Sequence, residues 1–289
     1  MQTFDIDELK KIVLPQSDSH KGQNGKLMII GGSTLFHAAS MWALTIASRI
    51  VDMVFYASVK ENNDIVRELK KEFQNGIVVP RNQIEAYIEE SESILIGPGM
   101  MRSEKPVDKN RELSLEEIND LEDEGLQSYY LTKYLVHKYP HKKWIIDAGA
   151  LQMIELEWLE QLQGHGVLTP HVGEFERVFG TGVTVSEVAA KYNCTVLLKG
   201  EVDMVCTPET CVKIAGGNAG MTKGGTGDVL AGLIAALATK NDLFLSAAAG
   251  SYINKKAGEA LYERVGFYFN ASDLAAEIPQ VMKQLLSLK

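Results

Sequence analysis

Cysteine is scarce in this chain, with three in 289 residues: Cys194, Cys206 and Cys211. None forms a CxxC pair or stands at zinc-ligand spacing from a histidine, which argues against a zinc site of that kind. Cys206 and Cys211 flank Thr-Pro-Glu-Thr and could face each other across a hairpin. Free thiols are nonetheless the expected state, as in an intracellular protein. Positive charge is also short: 29 Lys and Arg stand against 38 Asp and Glu, a net charge of −9. That balance argues against nucleic acid or an anionic membrane as the main partner. No apolar run approaches the length of a membrane span. The segment Met1 to Lys11 is polar and acidic, unlike a signal or transit peptide. A cytoplasmic protein is expected. There is no internal repeat and no low-complexity linker, so a single domain over 1–289 is the expectation.

What is present is ordinary in bulk, 45% hydrophobic and 23% charged residues, as in soluble globular proteins. Short β-rich runs at Lys26–Ile30, Met53–Ser58, Gly76–Val79, Ser93–Ile96, Lys143–Ile146, Gly166–Leu168 and Thr195–Leu198 predict buried strands. Helical patterns at Ala38–Ile50, Asn62–Phe73, Leu115–Tyr139, Ala150–Leu162 and Val185–Tyr192 lie between them. Such alternation implies an α/β fold with a mostly parallel sheet and helices on both faces. A hairpin follows at Val202–Cys206 and Cys211–Ala215. Beyond it the pattern is nearly all helical, ending in a segment from about Asp273 that Ser272 could cap and that Pro279 should turn or kink. Met100–Gln127, dense in charge, reads as a surface excursion leading into a helix.

The most informative stretch runs from Gly216 to Gly232, Gly-Gly-Asn-Ala-Gly-Met-Thr-Lys-Gly-Gly-Thr-Gly-Asp-Val-Leu-Ala-Gly. A glycine loop opening onto a helix presents backbone N–H groups to an anion, and the helix dipole adds to the attraction. Asp228 stands out. A carboxylate there suits the dipole but repels a resting phosphate, so it makes better sense as a base beside a phosphate that transfers. No GxxxxGK[ST] loop is present. Gly225-x-Gly227 also lacks the third glycine and preceding strand of a dinucleotide fingerprint.

With its companions, this loop resembles the ADP/ATP-dependent NAD(P)H-hydrate dehydratases of the ribokinase-like superfamily. The resemblance runs from about Lys21 to Pro279. It rests on Lys21-Gly22, Gly25-Lys-Leu-Met-Ile-Ile-Gly-Gly-Ser33, Gly97-Pro-Gly99 and Asp147-Ala-Gly-Ala-Leu151. It continues through Leu168-Thr-Pro-His-Val-Gly-Glu-Phe175, Leu198-Lys-Gly200 and Gly217 to Asp228, in this order. The implied fold is a three-layer α/β sandwich around a mostly parallel sheet. The implied activity phosphorylates the hydroxyl of hydrated NADH or NADPH from ATP or ADP and then eliminates phosphate, restoring the dinucleotide.

By the same resemblance, Asp228 is an ionised general base and substrate contact, and Gly225, Thr226 and Gly227 form the anion hole through their N–H groups. Ala39, Gly99 and His171 contact the hydrated dinucleotide. Lys199, Gly200, Glu201, Val202, Asp203 and Gly227 hold the adenine nucleotide. From its own place at a helix start, Glu174 could steer a magnesium-bound phosphate through water or serve the helix alone. His37 is read as a local structural residue. The chain departs from the family pattern in four places. Asp203 stands where threonine is expected, Phe36 where tyrosine is usual and Ala38 where glycine is usual, and Met100-Met101 replaces Leu-Gly. The chain leaves no room for the epimerase domain that some members carry in front, and a homo-oligomer is allowed by analogy. One alternative is a small-molecule kinase of the same fold acting on a thiazole or pyrimidine alcohol. Another is a non-catalytic nucleotide-binding protein. The turn Thr169–Glu174 with Gly97-Pro-Gly99 argues against the first, and the intact Gly-Thr-Gly-Asp against the second.

Overall fold

A computed structural model describes residues 2–286. Its strands are β1 Gln2–Thr3, β2 Lys26–Ile30, β3 Met53–Ala57, β4 Ile77–Val78 and β5 Ser93–Ile96. They continue with β6 Lys143–Ile146, β7 Gly166–Leu168, β8 Thr195–Leu198, β9 Asp203–Cys206 and β10 Cys211–Ile214. The helices are α1 Ala38–Ala47, α2 Lys60–Leu69, α3 Ile84–Glu90, α4 Leu115–Asn119, α5 Glu124–Lys138 and α6 Ala148–Gln152. After them come α7 Leu156–Gln161, α8 Val172–Phe179, α9 Val185–Tyr192, α10 Thr226–Ala238, α11 Leu243–Val265 and α12 Ala271–Leu286.

All ten strands join one sheet in the order β1-β10-β9-β8-β7-β6-β5-β2-β3-β4. Only β9 runs against its neighbours. The near-continuous apolar runs of the central strands suit burial on both faces. Leu27 and Ile29 of β2 enter one core with α1, α10, α11 and α12. Met28 and Ile30 enter the other, with the helices between α3 and α9. The period of two along β2 therefore divides the molecule into three layers.

Strand order reverses between β2 and β5, since β3 and β4 extend one way while β6, β7 and β8 extend the other. Ligand crevices of open parallel sheets form outside the carboxyl ends of strands at such a switch point. There the segments after β2 and β5 meet closely. Gly32 N–H donates to the Pro98 carbonyl at 2.7 Å, and a Cβ on Gly31 would strike the same oxygen.

Several expectations need correction. The helix read over 115–139 is broken at Asp120–Asp123, where Asp123 Oδ1 accepts from Leu126 N–H and starts α5 afresh. The helix read over 150–162 is likewise two, α6 and α7. Ser272 does not cap α12. Asn270 Oδ1 accepts from Ser272 and Asp273 N–H, while Ser272 Oγ accepts from Trp42 Nε1. Pro279 lies within α12 rather than in a turn, and Leu274, Ala275, Ile278 and Val281 bury one face of that helix against the core.

Cys206 and Cys211 are joined in a disulfide rather than free. The reason is register: β9 and β10 set the two residues directly opposite each other. Cys194 is buried and unpaired. Among the described residues no helix is long and apolar enough to cross a membrane.

Candidate active site

β6, β7 and β8 end side by side, and each delivers one polar residue past its last strand position. Asp147 follows β6, Thr169 follows β7 and Lys199 follows β8. Asp147 Oδ1 accepts from Thr169 Oγ1 at 2.8 Å and from Lys199 Nζ at 2.9 Å. The Asp147 side chain is only 2% exposed, so this ion pair is largely dry and strong in geometry. Ala148, the next residue, holds φ +43°. A non-glycine residue in this left-handed region costs on the order of 1–3 kcal/mol, and such strain clusters at functional sites.

The glycine loop closes over this pair from the other side. Gly225 takes φ +96°, and a side chain there would collide with the Trp42 ring and Ala271. Glycine therefore lets the loop press against α1 and turn directly into α10. The N–H groups of Gly225 and Gly227 find no acceptor among the described residues, as expected for the open N-terminus of a helix. Thr226 is turned inward. Its hydroxyl donates to the Met221 and Lys223 carbonyls, and its N–H points to the Lys223 carbonyl. These contacts brace the loop. A Cβ placed on Gly227 would lie 3.5 Å from Lys199 Nζ, so the ammonium and the open helix end share one small space.

Asp228 sits in the first turn of α10, half-buried. Burial lifts its carboxyl to about 7, with Asp147 adding repulsion, while Lys199 and its own N–H pull the other way. Its carboxyl therefore holds its proton to much higher pH than an ordinary aspartate. Burial pulls the Lys199 ammonium down, but Asp147, Glu174 and Asp228 outweigh it and leave Lys199 more basic than usual. A carboxyl near 7 next to a fixed cation and open N–H donors is equipped to take a proton while negative charge builds beside it.

His171 caps α8. Its Nδ1 accepts from Glu174 N–H at 3.2 Å, and Glu174 Oε2 accepts from His171 N–H at 3.0 Å. The ring is 61% exposed and borders the same cleft. Glu174 Oε1 accepts from Gln152 Nε2, so both of its oxygens are engaged in holding the start of α8. Ala39 and Gly99 come together at the switch point, where a Cβ on Gly99 would lie 3.1 Å from that of Ala39. His37 Nδ1 lies 3.1 Å from Asn62 Oδ1, a local contact.

A cleft of about 650 Å³ extends from Lys199 and Gly227 between the loop 199–203 and the loop 216–221. Gly200 and Glu201 line it, while Val202 stays outside and exposed. Asp203 is 4% exposed and turned inward. Its Oδ1 accepts from Gly200 N–H and pairs with Lys255 Nζ at 3.3 Å, and its Oδ2 accepts from Ser251 Oγ. Lys255 Nζ also donates to the Gly200 and Glu201 carbonyls. The aspartate that replaces the expected threonine therefore braces the loop from behind. A cleft of similar volume lies between residues 12–24 and Pro279, at the far end of the sheet from these strand ends.

Among the described residues no group of three or more His, Cys, Asp or Glu is placed to hold a metal ion. Magnesium fits this donor set only as the companion of nucleotide phosphates, which supply most of its ligands together with water. Sequence reasoning missed the Asp147–Lys199 pair. Asp147 was visible only as part of a motif, and 52 residues separate it from Lys199.

A family model described as NAD(P)H-hydrate dehydratase matches residues 27–280. The bifunctional NAD(P)H-hydrate repair enzyme Nnr of Methanocaldococcus jannaschii is 35% identical over 279 residues, covering 96% of this chain and 52% of that protein. The chain thus spans about half the length of that bifunctional relative. The ADP-dependent (S)-NAD(P)H-hydrate dehydratase of Nitrosopumilus maritimus is 33% identical, with 93% of this chain and 92% of that protein covered. Solved structures share the ribokinase-like fold, among them an ADP/ATP-dependent NAD(P)H-hydrate dehydratase of Bacillus subtilis co-crystallised with ATP and Mg2+. That one is 21% identical, with a TM-score of 0.77 and 98% of each chain covered. By the family match over residues 27–280 and by these sequence relatives, the chain belongs to the NAD(P)H-hydrate dehydratase family.

Proposed function

We propose that this chain repairs hydrated NADH and NADPH in the cytoplasm, using ATP or ADP with Mg2+. The adenine nucleotide lies in the cleft between loops 199–203 and 216–221, its phosphates reaching Lys199, Gly225 and Gly227. The hydrated nicotinamide approaches from the Ala39 and Gly99 side, with His171 along its edge. Asp228 takes the proton of the hydrate hydroxyl, and the freed oxygen attacks the terminal phosphorus as the bond to the nucleotide breaks. Lys199 and the Gly225 and Gly227 N–H groups hold the charge that develops. The ring nitrogen then pushes its lone pair toward the carbon carrying the new phosphate, which leaves, and loss of a ring proton restores the double bond. Magnesium neutralises phosphate charge when bound with the nucleotide, with Glu174 in reach through water as its helix-capping role permits.

The observation that carries this reading is Asp228, a half-buried carboxyl near 7 at an open helix end beside Lys199. The test offers purified protein each hydrate with ADP or ATP and follows the returning absorbance of the reduced nicotinamide. Higher kcat/KM with ADP, with AMP as product, is expected. Asp228→Asn should bind nucleotide normally and lose about 10²–10⁴-fold in kcat. If a phosphorylated product accumulates without returning absorbance, the chain is a kinase of the same fold.

A further inference from the structure

Ser251, Lys255 and Glu259 stand four residues apart on α11 and so form one polar stripe along it. Ala249, Ile253, Ala257 and Leu261 fix the opposite side of the helix in the core. Each member of the stripe holds a wall of the 650 Å³ cleft. Ser251 Oγ donates to Asp203 Oδ2 at 2.7 Å, behind the loop 199–203. Glu259 Oε1 accepts from Gly217 N–H at 3.0 Å, behind the loop 216–221. Lys255 reaches both. Its Nζ donates to the Gly200 and Glu201 carbonyls on one side, each at 3.1 Å, and to the Gly216 carbonyl on the other at 3.4 Å. Asp203 Oδ1 balances its charge at 3.3 Å.

Holding the fold is a poor account of this ammonium. The Lys255 and Asp203 side chains are only 8% and 6% exposed. Pairs buried to that depth give up water on both sides, and apolar residues of similar volume often serve a fold as well or better. What an apolar residue cannot do is gather three carbonyls from two separate loops around one point. The second loop has the greater need of it. Gly216 and Gly217 run at φ +117° and +77°, and glycine loses more conformational freedom on ordering than any other residue. Ordering that a ligand must impose weakens its binding, and ordering already present does not.

We propose that Lys255, with Asp203 as its counter-ion, is a positioning residue that fixes the two walls of the cleft at the spacing the phosphoryl donor needs. The inference rests on the repair reading for the identity of that donor. Lys255→Met alone would strand the Asp203 charge in the interior, so the test is the double variant Asp203→Asn, Lys255→Met. It removes the ammonium, and the amide can still accept from Gly200 N–H and donate to Ser251. Calorimetric titration with ADP, thermal unfolding and steady-state kinetics compare it with the unaltered protein. The variant should bind ADP about 10–100-fold more weakly, with KM for ADP rising in step. KM for the hydrate, the acid limb that Asp228 sets and Tm should all hold. Unchanged ADP affinity, a variant that does not fold, or a lower Tm with both KM values rising together would overturn the proposal and leave the pair a prop of the fold. ADP binding without restoration of the hydrate would sink the repair reading and leave the clamp standing. An unaltered protein that binds no ADP would remove both.

Discussion

Asp228 is where a single side chain shapes the response to pH. Its carboxyl stands near 7 because burial disfavours its charge and Asp147 repels it. A general base works only when deprotonated, so kcat/KM should fall about tenfold per pH unit below that value and level off above it. Lys199 restrains the shift. Lys199→Met removes that cation and leaves Asp147 unpaired, so the acid limb should move to higher pH as turnover drops. A pH–rate profile of the variant checks this, and an unmoved limb would separate Lys199 from the base. The stability effect has the opposite direction to a salt-bridged carboxylate. A raised folded-state pKa means the native state binds the proton more tightly than the unfolded chain, so stability is lost as pH rises from 3.8 toward about 7. At pH 8 Asp228→Asn should therefore be more stable than the parent, by on the order of 1 kcal/mol after allowing for solvent at a half-buried group. Thermal unfolding at pH 5 and pH 8 reads it directly.

At the scale of elements, α8 shows how one residue can hold two duties. The His171 ring caps the helix through Nδ1 and is mostly exposed at the cleft. His171→Ala should weaken binding of the hydrate and also cost about 1 kcal/mol for the lost cap. His171→Asn keeps a side-chain oxygen suited to an N-cap, so it should recover the stability and not the hydrate binding. Recovery of both would assign His171 to the helix alone. Elements like α9 were legible because their chemistry is local: Thr184 and Glu187 form the capping box that their spacing announces. The central strands were legible for the same reason, as runs buried on both faces. What escaped was set by distant partners. α3 is seven residues long, with Ile84 and Ile88 buried on one face, too short for a pattern to stand out. β1 is two residues that pair with β10, a strand far along the chain at Cys211–Ile214. The Cys206–Cys211 bond depended on a hairpin register that the spacing allowed without requiring.

The whole molecule is organised by a sheet that serves two cores at once. Along β5, Leu95 enters one core while Ile94 and Ile96 enter the other, and β6 divides Ile145 from Trp144 and Ile146 in the same way. Neither core can lose its strands without stripping the other. This arrangement also gathers the candidate site, since Asp147, Thr169 and Lys199 follow three strands whose adjacency no stretch of sequence displays. Alternation of strands and helices made the layers legible from sequence, whereas the order of strands, and with it the pairing of Asp147 with Lys199, arises only when the sheet closes. A single cooperative unit over the described residues is therefore expected. Trp42 packs on the α1–α10 side, while Trp144 and Trp158 lie in the opposite core, so each side carries its own fluorescent reporter. Unfolding in guanidinium, followed by fluorescence of variants keeping either Trp42 or Trp144 and by far-UV circular dichroism, should give coincident midpoints. Two separated transitions, with Trp42 reporting one and Trp144 the other, would show that the layers unfold apart and that the shared strands do not couple them.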